Sequence, residues 1–195
     1  MKRIKSGGNT KQKIIDKALE LFYRQGYLAT GINQVIAESG VAKNTFYYYF
    51  PSKEDLCVSY LQEMDRHWMK LIKDVIHSNK KPLDRLFAPL DFLKRWNEEN
   101  GFRGCPFLNI ASEVTDPKSD IRKEVIYHKE GFKTIIRELV KSLKNSADKY
   151  SDIDVSTVTD AYYLLSEGAT VASQNFLDVA PFRTARRNIE KLLNP

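Results

Sequence analysis

The chain has 195 residues, of which 42% are hydrophobic and 29% are charged, proportions typical of a globular protein and not of a disordered one. There is no run of about 18 apolar residues, and no apolar segment follows the basic start, so neither a membrane span nor a secretory signal is expected. The protein is therefore predicted to be cytoplasmic. Two cysteines, Cys57 and Cys105, provide neither a disulfide framework nor a cysteine-based zinc site.

The net charge of +6 is carried by the N-terminal quarter of the chain. Residues 1–53 contain nine Lys and Arg against three Asp and Glu, so the rest of the chain is neutral overall. A localised basic region attracts polyanions, of which nucleic acid is the commonest. A solvated basic tail would give the same count, and charge alone leaves both interpretations open.

The first elements are an arm and two helices. Residues 1–9 are polar and basic and are predicted to form a flexible arm. Apolar residues then recur at the spacing of one helical face up to Gly26, which is placed to act as a C-terminal cap. A second, short helix covers INQVIAES, with Thr30 or Gly31 at its start and Gly40 at its end.

The aromatic segment NTFYYYF at residues 44–50 has sheet propensity, but too few residues separate it from the next helix for a paired strand. We therefore expect a helix of two turns. At 100° per residue, one face carries Phe46, Tyr49 and Phe50, and the opposite face carries Asn44, Tyr47 and Tyr48. The first face is predicted to be buried and the second to point outward.

The remainder of the chain is also predicted to be helical. Ser52 and Asp55 form a shortened capping box that opens a long helix extending to about residue 78. Proline and glycine then separate five further helical segments, and no strand is expected. These segments begin near residues 82, 106, 119, 155 and 181. The predicted fold class is all-α.

The predicted layout is that of a helix-turn-helix. It has a short helix, a turn with Gly40 and a second short helix with exposed polar and aromatic side chains. In a helix-turn-helix the second helix enters the major groove of DNA. Lys43 and Lys53 are placed to meet phosphates. Thr30 is a candidate phosphate contact because helix N-termini attract phosphate, or it only caps its helix.

The segment LATGINQVIAESGVAKNTFYYYFPSKEDL closely resembles the DNA-binding domain of the TetR/AcrR family of transcriptional regulators, and the resemblance covers residues 10–56. It implies the following DNA-facing positions: Thr30, Lys43, Thr45, Tyr47, Tyr48 and Lys53. Three positions depart from the family pattern: Gly31 and Ala42 lack hydroxyls that many members have, and Asn44 replaces a glycine. We hypothesise that Asn44 contributes base specificity by pairing with an adenine.

Residues 57–195 resemble the larger domain of this family. The resemblance implies an all-helical domain that binds an effector and forms a homodimer through its last two helices. Small residues of the predicted helix after residue 155, including Gly168 and Ala172, would let a partner helix approach closely. The last helix has an apolar stripe from Phe182 to Leu192. The alternative is that both faces complete the core of the monomer.

The resemblance also implies a small-molecule pocket in this larger domain. Candidate lining residues are Trp68, Phe92, Trp96, Phe102, Cys105, Asn109, Tyr127, Tyr163 and Phe176, although core packing would explain the aromatic ones equally well. A Gly-Cys pair followed by Asn109 and then Glu113 resembles a subgroup whose cysteine lies beside the ligand cavity and, in some members, senses electrophiles or oxidants. Cys105 also precedes Pro106, a favoured first helical residue, and a helix N-terminus lowers a thiol pKa. Otherwise Cys105 is a small buried residue at a turn.

The predicted function is a ligand-responsive, DNA-binding transcriptional regulator, a repressor that a small molecule releases from a palindromic operator. The long helix from residue 52 to 78 would carry the signal. The alternatives are a redox or electrophile sensor acting through Cys105 and an architectural DNA binder without an effector. An enzyme is not expected, because the three histidines are scattered and no catalytic or phosphate-binding motif is present; no cofactor or metal is predicted.

Overall fold

The computed structural model describes residues 10–193, and within this range it contains helices and no strand. The helices are α1 (Thr10–Gln25), α2 (Ile32–Ser39), α3 (Lys43–Tyr49), α4 (Lys53–His77), α5 (Pro82–Glu99), α6 (Pro106–Glu113), α7 (Asp120–Lys144), α8 (Val155–Phe176) and α9 (Ala180–Leu193). The predicted all-α class is confirmed. The predicted arm at residues 1–9 lies outside the described residues.

The helix ends follow the local signals in the sequence. Gly40 ends α2 in the left-handed conformation, with a φ of 67° that favours glycine. At the start of α4 the Ser52 N–H donates to Asp55 Oδ2 at 3.0 Å, and the Asp55 N–H donates to Ser52 Oγ at 3.1 Å. The predicted capping box is therefore present, and it sets the point where α4 begins.

The chain divides into two compact units. Of the described residues, the first unit comprises 10–67 together with Pro106–His128, and the second comprises Trp68–Cys105 together with 129–193. The predicted boundary after residue 56 falls inside α4, and the first unit also takes in α6 and the start of α7. The helix-turn-helix therefore shares a core with a segment that lies some 50 residues further along the chain.

The first unit has an aromatic core beneath α3. Phe46 and Phe50 are buried with their ring centres 6.0 Å apart. Phe22 of α1 lies edge-on to Tyr60 of α4 at 5.5 Å, and both are buried. Such edge-to-face pairs add to the free energy gained by burying the rings. The core thus fixes the underside of α3 against neighbouring helices.

The second unit has its own aromatic cluster and a packed helix pair. The Trp68 ring lies edge-on to Phe92 at 5.5 Å and to Trp96 at 5.4 Å, and all three side chains are buried. Helix α9 packs along α8. No helix in the described part of the chain is both long enough and apolar enough to span a membrane.

Helix α5 contains Pro89, whose ring crowds the preceding turn and which has no N–H to donate. Beside it the fully buried Tyr162 of α8 contacts two backbone groups of α5. The Tyr162 hydroxyl donates to Leu86 O at 2.9 Å and accepts from Leu90 N at 3.2 Å. Burial raises the pKa of Tyr162 well above its ordinary value, so the hydroxyl keeps the proton that it donates.

Removing this hydroxyl is expected to destabilise the protein. In Tyr162→Phe the two backbone groups beside Pro89 lose a buried partner, which should lower the free energy of unfolding by about 1–3 kcal/mol. Urea denaturation followed by circular dichroism measures the change. The control is Tyr127→Phe, because Tyr127 is 66% exposed and its hydroxyl can bond to water. Equal urea midpoints for Tyr162→Phe and the wild-type protein would show that the two hydrogen bonds of the Tyr162 hydroxyl contribute nothing to stability.

Candidate nucleic-acid interface

Helix α3 presents two different faces. Tyr48 is 81% exposed and Tyr47 is 40% exposed, while Phe46 and Phe50 on the other side are buried. Tyr47 lies edge-on to Phe46 at 5.4 Å, and Tyr48 lies edge-on to its neighbour on the helix, Tyr49, at 5.1 Å. Tyr47 is thus supported by a core ring, whereas Tyr49, which was predicted to be buried, is half-buried beside Tyr48. The outward direction of Tyr47 and Tyr48 agrees with the periodicity of the sequence.

Polar side chains extend this exposed face toward the start of α3. Lys43 and Asn44 are exposed, and Thr45 is half-buried between the two faces. Helix α3 has no side-chain cap at its N-terminus. The exposed face therefore offers an ammonium, an amide and two phenol hydroxyls, which are all groups that bind phosphates or base edges.

Thr30 does not belong to this surface, and its predicted role as a phosphate contact is wrong. Its side chain is fully buried, and its Oγ1 donates to Gly26 O at 2.7 Å. The hydroxyl closes the turn between α1 and α2 and cannot reach solvent. Thr30 is not the cap of α2 either, since that position is occupied by Gly31, which has no side chain to accept a bond.

Lys53 is directed toward the same turn. Its Nζ lies 4.4 Å from the centre of the Tyr27 ring and donates to Leu28 O at 3.4 Å. Burial lowers the pKa of Lys53, and the neighbouring Cys57 and Glu113 partly oppose that effect. In this conformation the Lys53 ammonium contacts the turn between α1 and α2. The predicted phosphate contact would require the ammonium to leave Tyr27 and Leu28.

A carboxylate that sequence reasoning missed also reaches the turn between α1 and α2. Glu113, the last residue of α6, accepts a hydrogen bond from Leu28 N at 2.6 Å through its Oε2. The two residues are 85 positions apart. The available signal was an acidic residue at the C-terminal end of a helix, where the macrodipole disfavours a negative charge and a compensating donor is expected.

The predicted effector residues do not form one group. Trp68, Phe92 and Trp96 are buried together in the second unit, and Tyr163 is half-buried. Phe102 and Asn109 are half-buried, Phe102 with a positive φ of 57°. An enclosed pocket cannot include side chains that are mostly exposed to solvent, and Phe176 of α8 is 76% exposed.

Phe176 is therefore corrected to a surface residue. The same correction applies to Tyr127, which lies on the exposed side of α7 in the first unit, beside Gln62 and Glu124. Both helices are amphipathic, and the sequence did not reveal which aromatic residues lie on their open faces.

Cys105 lies next to a half-buried ion pair that the sequence did not indicate. Lys129 of α7 contacts both carboxylate oxygens of Glu167 of α8, at 2.7 and 2.8 Å, and its Nζ lies 3.7 Å from Cys105 Sγ. Burial on its own lowers the pKa of Lys129, but Cys105 and Glu167 raise it by more, so the pKa lies above the ordinary value. A charged ammonium thus faces a buried thiol.

Helix α8 carries an exposed apolar groove. Its lining includes Leu164, Gly168, Ala172 and the exposed Phe176, with the start of α9 on the other side. Among the described residues, no atom outside the adjacent backbone of α8 itself lies within 4 Å of the position that a Cβ on Gly168 would take.

The predicted stripe of α9 contributes little to this open surface, where only its almost fully buried Ala185 lines the groove. Phe182, Ala185 and Ile189 are buried within the second unit, and only Leu192 remains partly exposed. Most of that stripe completes the core of the monomer, and it is the α8 face that remains open.

Two curated proteins and a solved structure resemble this chain. An uncharacterised HTH-type transcriptional regulator in the lacX 3′ region of Lactococcus lactis is 32% identical over 117 residues, which are 59% of this chain and 60% of that protein. The HTH-type transcriptional regulator LmrA of Bacillus subtilis is 32% identical over 120 residues, 60% of this chain and 64% of LmrA. The match therefore spans less than two thirds of either relative. The crystal structure of a TetR-family regulator from Streptomyces coelicolor has a TM-score of 0.84 at 24% identity, over 96% of this chain and 90% of that one.

Family models match both parts of the chain. The model for bacterial regulatory proteins of the tetR family matches residues 14–59, which contain α2 and α3. The model for the tetracyclin repressor-like C-terminal domain matches residues 82–189, more than half of the chain. The chain therefore belongs to the TetR family, whose members are transcriptional regulators and not enzymes.

Proposed function

We propose that the protein is a transcriptional repressor that binds a palindromic operator as a homodimer and is released by a small-molecule effector. The observation that carries the proposal is the exposed face of α3, where Tyr47 and Tyr48 stand outward on a buried base of Phe46 and Phe50. An exposed pair of large aromatic rings is unfavourable in water unless a partner covers it. A helix of this width fits the major groove.

Charge and chemistry support duplex DNA as that partner. The excess of Lys and Arg lies within residues 1–53, the part of the chain that includes α3. In the proposed complex Lys43 contacts a phosphate, and the two phenol hydroxyls donate to phosphates or pack on thymine methyl groups. Thr45 would contribute only at the edge of the contact because it is half-buried.

The open groove of α8 supports a homodimer in which this helix packs against its mate. Small residues at Gly168 and Ala172 permit close approach, and the exposed Leu164 and Phe176 would be removed from water. A two-fold dimer places two copies of α3 about 34–36 Å apart, one turn of DNA, so that they read an inverted repeat.

The second unit is the proposed effector-binding region. Its remaining candidate residues include the aromatic cluster of Trp68, Phe92 and Trp96, and Tyr163 beside the ion pair of Lys129 and Glu167. Aromatic side chains suit an apolar molecule, and the charged pair beside Tyr163 suits a polar group on such a molecule. A thermal-shift screen of small molecules, followed by release of DNA by the hits, tests this part, and a purely architectural DNA binder would yield no releasing compound.

Selection from a pool of randomised duplexes tests the DNA-binding part. Recovery of an inverted repeat with half-sites about one helical turn apart is the expected result. Recovery of no preferred sequence at low salt would contradict the proposal.

Asn44 is expected to set part of the sequence preference. The exposed amide can make a bidentate contact with an adenine, which discriminates against other bases by about 1–3 kcal/mol. Repeating the selection with Asn44→Ala should relax the preference at one position of each half-site. Asn145→Ala, an exposed asparagine after α7, is the control. An unchanged preference in Asn44→Ala would remove Asn44 from the specificity contacts.

A second candidate function is regulation through Cys105. The specific observation in its favour is that Lys129 Nζ lies 3.7 Å from Cys105 Sγ, since reactive cysteines typically lie beside a cationic group. Mass spectrometry after mild treatment with N-ethylmaleimide tests it, with Cys57 as the internal control, since burial strongly raises the pKa of Cys57. An unmodified Cys105 together with unaltered DNA affinity would exclude this function.

A further inference from the structure

We propose that Glu113 is a positioning residue for DNA binding, which holds the turn between α1 and α2 in its DNA-binding conformation through the backbone of Leu28. The proposal rests on the proposed DNA-binding function.

The contact is short and directed. Glu113 Oε2 lies 2.6 Å from the backbone N of Leu28. Leu28 is the central residue of the turn that joins α1 to α2. A bond from a backbone N–H to a carboxylate is among the stronger hydrogen bonds in proteins. Because this turn sets the direction in which α2 leaves α1, the carboxylate helps to determine the position of the helix-turn-helix.

Gly26 shapes the space that the carboxylate occupies. Its φ is 101°, a conformation that favours glycine, and a Cβ at this position would lie 2.9 Å from Glu113 Oε1. The turn therefore requires glycine for its backbone angle, and any side chain at this position would also displace the Glu113 carboxylate.

The other polar group of Leu28 is held from a different helix. Leu28 O accepts from Lys53 Nζ of α4 at 3.4 Å, while Leu28 N donates to Glu113 of α6. The Leu28 side chain itself is exposed, so the turn has little apolar packing of its own at this residue. Its conformation depends on two side chains from two helices. Helix α4 continues into the second unit beyond His67, whereas α6 lies in the first unit and directly follows Cys105 of the second.

Electrostatics alone predicts the opposite effect from the one proposed here. Removing a negative charge from a DNA-binding protein normally strengthens its attraction to phosphates. Glu113 also lies at the C-terminal end of its helix, where its charge is unfavourable for the helix. A loss of DNA affinity on removing Glu113 would therefore point to the hydrogen bond.

The test measures the affinity of Glu113→Ala for the duplex recovered by the wild-type protein from a randomised pool. We expect binding about three- to tenfold weaker with an unchanged melting temperature, because water can partly replace the lost acceptor. Glu113→Gln, which keeps an oxygen acceptor but loses the charge, should bind within about twofold of wild type. The control is Glu99→Ala, which removes an exposed carboxylate from the last residue of another helix, α5.

Hydrogen exchange of the Leu28 amide provides a second readout. It should become faster in Glu113→Ala and stay near the wild-type rate in Glu113→Gln and Glu99→Ala. Wild-type DNA affinity in Glu113→Ala, or an equal loss in Glu113→Ala and Glu99→Ala, would overturn the proposal. If the wild-type protein recovers no duplex, the proposed DNA binding fails, and an unchanged Leu28 exchange rate in Glu113→Ala would separately show that Glu113 does not hold the turn.

Discussion

Replacing Gly168 with arginine is expected to convert the protein into a monomer whose operator affinity is at least about 100-fold lower. Two half-sites bound by one dimer act as a linked pair, and such linkage strengthens binding by about 10²–10⁴. A guanidinium on each copy of α8 would place two like charges in an apolar interface, where neither has a partner. Light scattering gives the oligomeric state, and fluorescence anisotropy with the selected duplex gives the affinity.

The design depends on keeping the monomer fold intact. In the part of the chain that the structure describes, only the backbone of α8 itself lies close to a Cβ at Gly168, so the new side chain can extend away from the helix. Thr134→Arg adds the same charge to an exposed position on α7 and is the matched control. A dimeric Gly168→Arg protein with wild-type affinity would show that the α8 groove is not the interface.

The second large effect is expected for the two exposed phenol rings of α3. Replacing Tyr47 and Tyr48 together with alanine should weaken operator binding at least about 30-fold, because two hydrogen bonds to phosphate of about 1 kcal/mol or more each are lost. The melting temperature should change little, since the Tyr48 side chain is 81% exposed. Anisotropy titration and thermal denaturation of the same preparation measure both quantities.

The buried side of the same helix is the contrast for this experiment. Phe46→Ala removes a fully buried ring and should lower the free energy of unfolding by about 3–5 kcal/mol. If the double tyrosine variant unfolds as readily as Phe46→Ala, the two rings belong to the core. If it keeps both wild-type stability and wild-type affinity, α3 does not contact DNA through them.

Local signals in the sequence were sufficient for the features that depend on neighbours along the chain. The capping box at Ser52 and Asp55, the end of α2 at Gly40 and the two faces of α3 each involve residues within about four positions of one another. At this range helix geometry alone determines which side chains meet. The resemblance to the TetR/AcrR family is also recognisable within one continuous segment, residues 10–56.

Features that depend on distant contacts could not be predicted in this way. Whether Thr30 faced solvent or the core depended on where α2 begins, and Thr30 and Gly31 were both acceptable starting residues. Glu113 and Leu28 are 85 positions apart, and the hydroxyl of Tyr162 reaches Leu86 over 76 positions. No periodicity relates such pairs, because the fold brings them together.

The effector region illustrates the same limit. Aromatic residues on amphipathic helices can face a core, a cavity or a partner subunit, and the sequence does not separate these cases. Trp68 and Trp96 proved to be buried, whereas Phe176 lies on the open face of α8. The ion pair between Lys129 and Glu167 joins α7 to α8 and gave no signal in either helix alone.

Nuclear magnetic resonance of the tyrosine rings, recorded while the selected duplex is added, tests the central claim most directly. We predict that the ring signals of Tyr47 and Tyr48 shift on binding, while those of the buried Tyr60 and Tyr162 do not. Saturation of the protein with duplex without any change in the Tyr47 and Tyr48 signals would contradict the account.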